Sequence, residues 1–206
     1  MRKFDEDFRV ALRQRVEAIE AESGVEIVAT VMPRATRYWH VYLLWGIIPA
    51  MLVLTFMMFL EAEFWYVLIY LETIGALILG GALPWIFSDL VRLSVGKKGL
   101  RKEAENAARA LFQRAGMVET RERIGILVVF AWFEKEVILI PDRGAEEMIP
   151  PDELETLDNR LSEVFSHPDP ANAILEQLAT MKNTLKLYIP RDIHDINELP
   201  DELWLH

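Results

Sequence analysis

The chain has 206 residues, and its 22 Lys and Arg against 32 Asp and Glu leave a net charge of −10. Such an acidic balance argues against a nucleic-acid partner. The absence of cysteine excludes disulfides, thiolate metal sites and thiol nucleophiles.

Residues 1–24 are highly charged and lack an apolar stretch ahead of a small-residue cleavage site, so no signal peptide is expected. Phe8, Leu12, Val16 and Ile19 recur at helical spacing and predict a helix through about residue 22. Gly24 is expected to end it in a left-handed conformation. Val25 to Met32 (VEIVATVM) is apolar and β-branched, a buried strand closed by Pro33. Residues 1–37 thus form the first part of a soluble domain.

Residues 38–95 differ in kind. Tyr38 to Leu60 contains no Asp, Glu, Lys or Arg, and Phe64 to Ser88 contains only Glu72 before its final serine. At about 1.5 Å per residue, roughly 20 apolar residues cross a bilayer core of about 30 Å. Both runs reach that length, and Glu61-Ala62-Glu63 leaves only a tight turn between them. The expectation is a transmembrane hairpin, about 38–60 and 64–88. Arg34 and Arg37 precede it, while Arg92, Lys97, Lys98, Arg101 and Lys102 follow it. The positive-inside rule therefore places both termini in the cytoplasm, in a two-pass topology. Trp39, Trp65, Tyr66 and Trp85 fall near the interfaces, where amphipathic rings are favoured.

Three features of the hairpin bear on partners. Gly46 and Ala50, and Ala76 and Gly80, are each four apart, giving both helices a small face for close packing. Glu72 falls well inside the second span, where a carboxylate is costly unless it is neutralised, paired or turned to a partner helix. Tyr42, Thr55 and Tyr70 are the hydroxyls within reach of it in one hairpin. Lys97, Lys98 and Arg101, just past the membrane exit, suit anionic lipid headgroups. Gly96-Lys97-Lys98-Gly99 lacks the glycine spacing and Ser/Thr of a phosphate loop.

Residues 96–189 resume the soluble domain. A basic, alanine-rich helix is expected from Gly99 to about Ala115, with Leu100, Ala104, Ala107, Ala108, Leu111 and Phe112 inward and Gly116 as its stop. Ile124 to Phe133 is a second buried strand, Glu134-Lys135 a tight turn, and Glu136 to Ile140 a third strand closed by Pro141-Asp142-Arg143-Gly144. A helix from Pro151 carries Leu154, Leu157, Leu161, Val164 and Phe165, and a last helix after Pro170 carries Ile174, Leu178, Met181 and Leu185. Residues 190–206 form an acidic, proline-interrupted tail. Apolar strands joined through a helix read as a parallel pair, and the next connection as a hairpin. The predicted fold is an α/β three-layer α/β/α sandwich with a small mixed sheet, interrupted by the hairpin. In that layout the turn near Trp132 faces the headgroups, so Trp132 should be quenched by spin-labelled lipid more than Trp204.

Among soluble residues, Asp142, Arg143 and Gly144 combine a carboxylate, a guanidinium and a glycine able to take φ > 0 at a strand end, a candidate ligand pocket. The alternative is a turn with a local Asp–Arg pair. Glu146 and Glu147 would add hard oxygen ligands for a divalent cation, or stand as solvated acids. His40, His167, His194 and His206 show no zinc-ligand spacing, and no nucleophile triad appears.

Several stretches resemble the TPM-domain family, known from a thylakoid-lumen phosphatase, a photosystem II repair protein and a receptor-channel modulator. They are Glu22 to Thr30 (ESGVEIVAT), Thr120 to Val129 (TRERIGILVV), Glu136 to Gly144 (EVILIPDRG), Ile149-Pro150-Pro151, and Asp195 to Leu203, which contains NELPDEL. The chain looks most like the bacterial branch in which a transmembrane hairpin interrupts the domain. The resemblance implies an α/β/α sandwich in a bacterial cytoplasmic membrane, and for some members acidic ligands for a divalent cation after the third strand. Here one glycine remains in that stretch, and the position of the later family Asp falls at about Pro151.

The favoured functional expectation is a non-catalytic interaction, accessory or assembly subunit of a larger membrane complex. Its partners would be lipid and other membrane-protein subunits or further copies of the chain, with no cofactor. The alternatives are a weak metal-dependent phosphatase centred on Asp142 and an oligomeric channel or transporter component hinging on Glu72.

Overall fold

A computed structural model of the chain describes residues 6–60, 65–115 and 124–191. The expected turn at Glu61-Ala62-Glu63, the Gly116 stop, the start of the Thr120 stretch, the Asp195-to-Leu203 stretch, His194, Trp204 and His206 lie outside those residues. The chain divides into two compact units, residues 1–35 with 102–206, and residues 36–101.

The first unit is built on a three-stranded sheet of β1 (Glu26–Met32), β2 (Gly125–Ala131) and β3 (Glu136–Pro141), in that order. β1 and β2 are parallel, with Glu26 opposite Gly125 and Met32 opposite Ala131. β2 and β3 are antiparallel, with Ile126 opposite Pro141 and Ala131 opposite Glu136. All seven residues of the central strand are buried, as expected of a strand covered on both faces, where period-two alternation disappears.

Two hydrophobic clusters sit on the two faces. Val25, Ile27, Ala29, Val31, Ile126, Val128, Phe130 and Val137 pack with α1 (Glu6–Glu20), α6 (Pro151–Ser162) and α7 (Pro170–Tyr188). Leu127, Val129, Ala131 and Ile138 pack with Ala104 and Ala108 of α4 (Ser88–Arg114). The result is a mostly helical α/β fold with a small mixed sheet between helical layers. Phe130 is fully buried, and truncating such a ring to alanine costs about 3–5 kcal/mol.

Local chemistry sets the helix ends. α1 ends at Glu20, close to the expected residue 22, and turn bonding carries on to Ser23, whose backbone N–H and hydroxyl both donate to the Ile19 carbonyl, at 2.9 and 2.7 Å. Gly24 is not left-handed. Its N–H instead donates to the Ile189 carbonyl, beside a bridge between Ser23 and Pro190, so the first residue of the expected tail belongs to the sandwich. α6 and α7 both begin at proline, which loses nothing at a position whose N–H has no helical acceptor.

The second unit contains α2 (Trp39–Phe59) and α3 (Tyr66–Ile86), 21 residues each, together with the start of α4. Both are long and apolar enough to cross a membrane, and only 22% and 6% of their most apolar windows are buried. A core helix of a soluble protein would be covered. These two have Leu52, Phe56, Met58, Val67, Leu71 and Leu79 among their exposed side chains.

α4 departs from the expected start at Gly99. Helix resumes at Ser88 directly after Phe87, and Gly96 breaks it with φ 71° and ψ 162°. Only glycine takes that conformation without a Cβ penalty, so two helical segments meet at Gly96, and the second starts about two residues before the expected Gly99.

Candidate functional site

The corner after β3 is assembled differently from the expected turn. Asp142 caps α5 (Arg143–Met148), its Oδ1 accepting from the Arg143 backbone N–H at 2.8 Å. Its own N–H donates to the Gly125 carbonyl at 2.7 Å, which ties the cap to the start of β2. The Arg143 guanidinium turns away to Glu147, with Nε 2.9 Å from Oε1 in an exposed i,i+4 pair. The proposed Asp142–Arg143 side-chain pair is therefore replaced by a cap and a helix-surface pair. Gly144 lies within α5 and has no positive φ, so its expected left-handed role is also corrected. Helical hydrogen bonding from Asp142 onward, beginning with the Glu146 N–H to the Asp142 carbonyl at 3.0 Å, overrides the turn chemistry. Glu146 is exposed. Asp142 is 8% exposed, and its Oδ2 is buried with no hydrogen-bond partner among the described residues. Among those residues no group of three His, Asp or Glu side chains converges to hold a metal ion.

Glu72 lies on an exposed part of α3. Neither Tyr42, Thr55 nor Tyr70 hydrogen-bonds it, and Thr55 donates instead to the Met51 carbonyl at 2.7 Å. Among the described residues its carboxyl has no hydrogen-bond or ion-pair partner. Sequence spacing places Glu72 within the second apolar run but does not say which way it faces.

The small-residue faces come together inside the hairpin. A Cβ built on Gly46 would lie 2.7 Å from the Leu77 carbonyl oxygen, and one on Gly80 would lie 2.2 Å from the Trp45 oxygen and 2.6 Å from Pro49 Cγ. Pro49 explains the second contact: without an N–H it leaves the Trp45 carbonyl with no i+4 donor, and that oxygen lies against Gly80. Cα–H to carbonyl contacts of this kind recur where helix backbones approach closely. Trp45 is also held through its ring, Nε1 donating to Ser94 Oγ at 2.9 Å. Ala50 is buried, whereas Ala76 lines an apolar groove. Lys97, Lys98 and Arg101 are exposed.

Two polar contacts escape sequence reasoning altogether. Glu22 receives Lys182 and Lys186, each with Nζ 2.8 Å from one carboxylate oxygen. Those bonds, Lys182 foremost, hold the Glu22 carboxyl at about 2, well below its ordinary 4.5. Partners 160 and more residues apart leave no local signal. Glu134, 3% exposed, accepts from the Ala35 N–H at 3.0 Å through Oε1. Beside it the Arg34 guanidinium stacks 3.8 Å over the Phe133 ring. A buried acid at a hairpin turn has no pattern that marks it in advance.

No family model and no curated protein matches the chain. Among solved structures it is similar to the BA42 protein from the psychrophilic bacterium Bizionia argentinensis, determined by NMR. The two share 14% identity with a TM-score of 0.56, over 96% of this chain and 91% of that one. The likeness is one of fold, and it is TPM-domain-like. In this fold the corner after β3 closes around a cap, and the hairpin unit carries Glu72, the one ionisable side chain of α2 and α3 besides histidine and tyrosine.

Proposed function

We propose that the chain is a two-pass protein of the bacterial cytoplasmic membrane with both termini in the cytoplasm, a TPM-like domain interrupted by a transmembrane hairpin. In this reading it serves as a non-catalytic accessory or assembly subunit of a larger membrane complex. The observation that carries the reading is the outer surface of the hairpin, which is apolar over two helices yet exposes Glu72, with no partner among the described residues. A carboxyl at that depth is costly in lipid, and side chains of this kind usually face a bundle interior. Arg34 and Arg37 before the hairpin and the exposed Lys97, Lys98 and Arg101 after it support the orientation.

The test is purification of the full chain from native membranes in mild detergent, with photo-crosslinkers at Leu71 and Thr73. A defined partner crosslinked from these positions is the expected result. Monomer with no crosslinked product refutes the reading.

One observation favours a second reading, a metal-dependent phosphatase. Asp142 Oδ2 is buried without a hydrogen-bond partner among the described residues, and a divalent cation there would satisfy it. Calorimetry with Ca²⁺, Mg²⁺ and Mn²⁺ should then detect binding that Asp142→Asn abolishes. A flat titration of the unmodified protein removes this reading.

A further inference from the structure

Resting on the membrane reading above, we propose that the hairpin presents a seat for one transmembrane helix of a different protein, carrying a basic side chain opposite Glu72. The seat is a groove of about 770 Å³ along one side of the hairpin. Its α2 wall is formed by Val41, Trp45, Ile48 and Leu52, and its α3 wall by Ala76, Leu79, Leu83 and Ile86. Each wall repeats at alternating spacings of three and four residues, the pattern by which one helix receives another. Ala76 is a small side chain in the lining, where a third backbone can approach closely.

Glu72 lies just beyond the residues that line the groove, on the same face of α3 by helical spacing, one turn before Ala76. It lies about 9 Å along α3 from Tyr66, and side chains on a helix lean toward its N-terminus. Its carboxyl therefore marks the hairpin-turn end of the groove. An apolar groove alone is satisfied by lipid tails, but a carboxyl without a donor is not.

Charge complementarity selects the occupant. Between Arg37 and Arg92 the chain has no Lys or Arg, so a second copy spanning in the same direction brings no cation to the depth of Glu72. The cation has to come from another chain. A Lys or Arg on the seated helix would place a charge-assisted hydrogen bond at the end of the groove, fixing both the depth and the rotation of that helix.

The test uses the full chain in phosphatidylcholine vesicles and a synthetic leucine–alanine transmembrane peptide with one Lys at the Glu72 depth, compared with the same peptide bearing Leu there. Energy transfer between labelled peptide and labelled protein should show roughly tenfold tighter association for the Lys peptide. That preference should vanish in Glu72→Leu. Ala76→Phe, which fills the groove and leaves Glu72 in place, should weaken the Lys peptide as well. Equal association of the two peptides overturns the proposal, as does a preference that survives Glu72→Leu. Energy transfer between copies of the chain that depends on Glu72 also overturns it, in favour of self-assembly. Flotation with the vesicles separates the two levels of failure. A chain that does not float sinks the membrane reading and this inference together, whereas one that floats without a Lys preference sinks this inference alone.

Discussion

Gly80→Ala should pull the hairpin apart, and Gly75→Ala should not. At Gly80 the added methyl would meet the Trp45 oxygen at 2.2 Å and Pro49 Cγ at 2.6 Å, whereas at Gly75 nothing lies within 4 Å. Ordinary carbon contacts begin near 3.5 Å, so the helices would have to separate by roughly 1 Å at the crossing. Neither obstacle is the free end of a flexible side chain: one is a backbone carbonyl and the other a proline ring. Overpacking of this kind costs about 1–3 kcal/mol. Both substitutions gain similar helix propensity, about 1 kcal/mol from Gly to Ala, so the difference between the variants isolates the clash. Because the chain has no cysteine, a fluorophore pair can be set at Met51→Cys and Ile74→Cys, both exposed. SDS titration in mild-detergent micelles then reads hairpin opening by energy transfer. Gly80→Ala should open about 1–3 kcal/mol earlier than Gly75→Ala. If the two open at the same SDS fraction, the close approach at Gly80 does not hold the hairpin, and the account of Pro49 falls with it.

Other expectations concern the soluble unit. Glu22 titrates near 2 when folded, below its ordinary 4.5, so its contribution is full above about pH 4.5 and lost as pH falls toward 2. Amide exchange at the α1–α7 contact should therefore rise in acid more steeply in the unmodified chain than in Glu22→Gln, and parallel profiles would dismiss the pairing. Lys135 holds φ 56° in the β2–β3 turn, so Lys135→Gly should raise the thermal midpoint by relieving about 1 kcal/mol of backbone strain. An unchanged or lower midpoint contradicts that. Asp142→Ala should cost about 1 kcal/mol through the lost cap and Asp142→Asn much less, measured by denaturant unfolding. Equal losses would mean that the cap is not what Asp142 contributes.

Much of the sandwich is legible from periodicity alone. Phe8, Leu12, Val16 and Ile19 are the buried stripe of α1, and the unbroken apolar run of β2 reads as a strand covered on both faces. Boundaries set by one backbone angle are not legible in this way. Gly99 is the expected helix start, yet it is Gly96 that takes the positive φ, and residues 88–95 are helical before it. The corner at Asp142 is not legible because an Asp-Arg-Gly run suits a turn and a capped helix equally well, and the backbone bonds that settle it, from Glu146 to Asp142 and from Ile149 to Ala145, leave no mark in residue type. The Glu22 pairs and the Trp45–Gly80 contact depend on residues distant in sequence, which no window of local pattern joins. For Glu72 the sequence gives its position along α3, whereas facing depends on how α2 and α3 dock.

The parallel pairing of β1 with β2 has a consequence for biosynthesis. Glu26 finds its neighbour only in Gly125, roughly a hundred residues later, and closing so long a loop is slow relative to local pairing. During translation the nascent β1 therefore waits, its hydrogen-bonding edge unclaimed, while everything up to β2 leaves the ribosome. In that interval it is open to capture by other strands or by chaperones. Ribosome-stalled chains ending before residue 125 should accordingly be far more protease-sensitive over residues 6–32 than chains stalled well beyond β3.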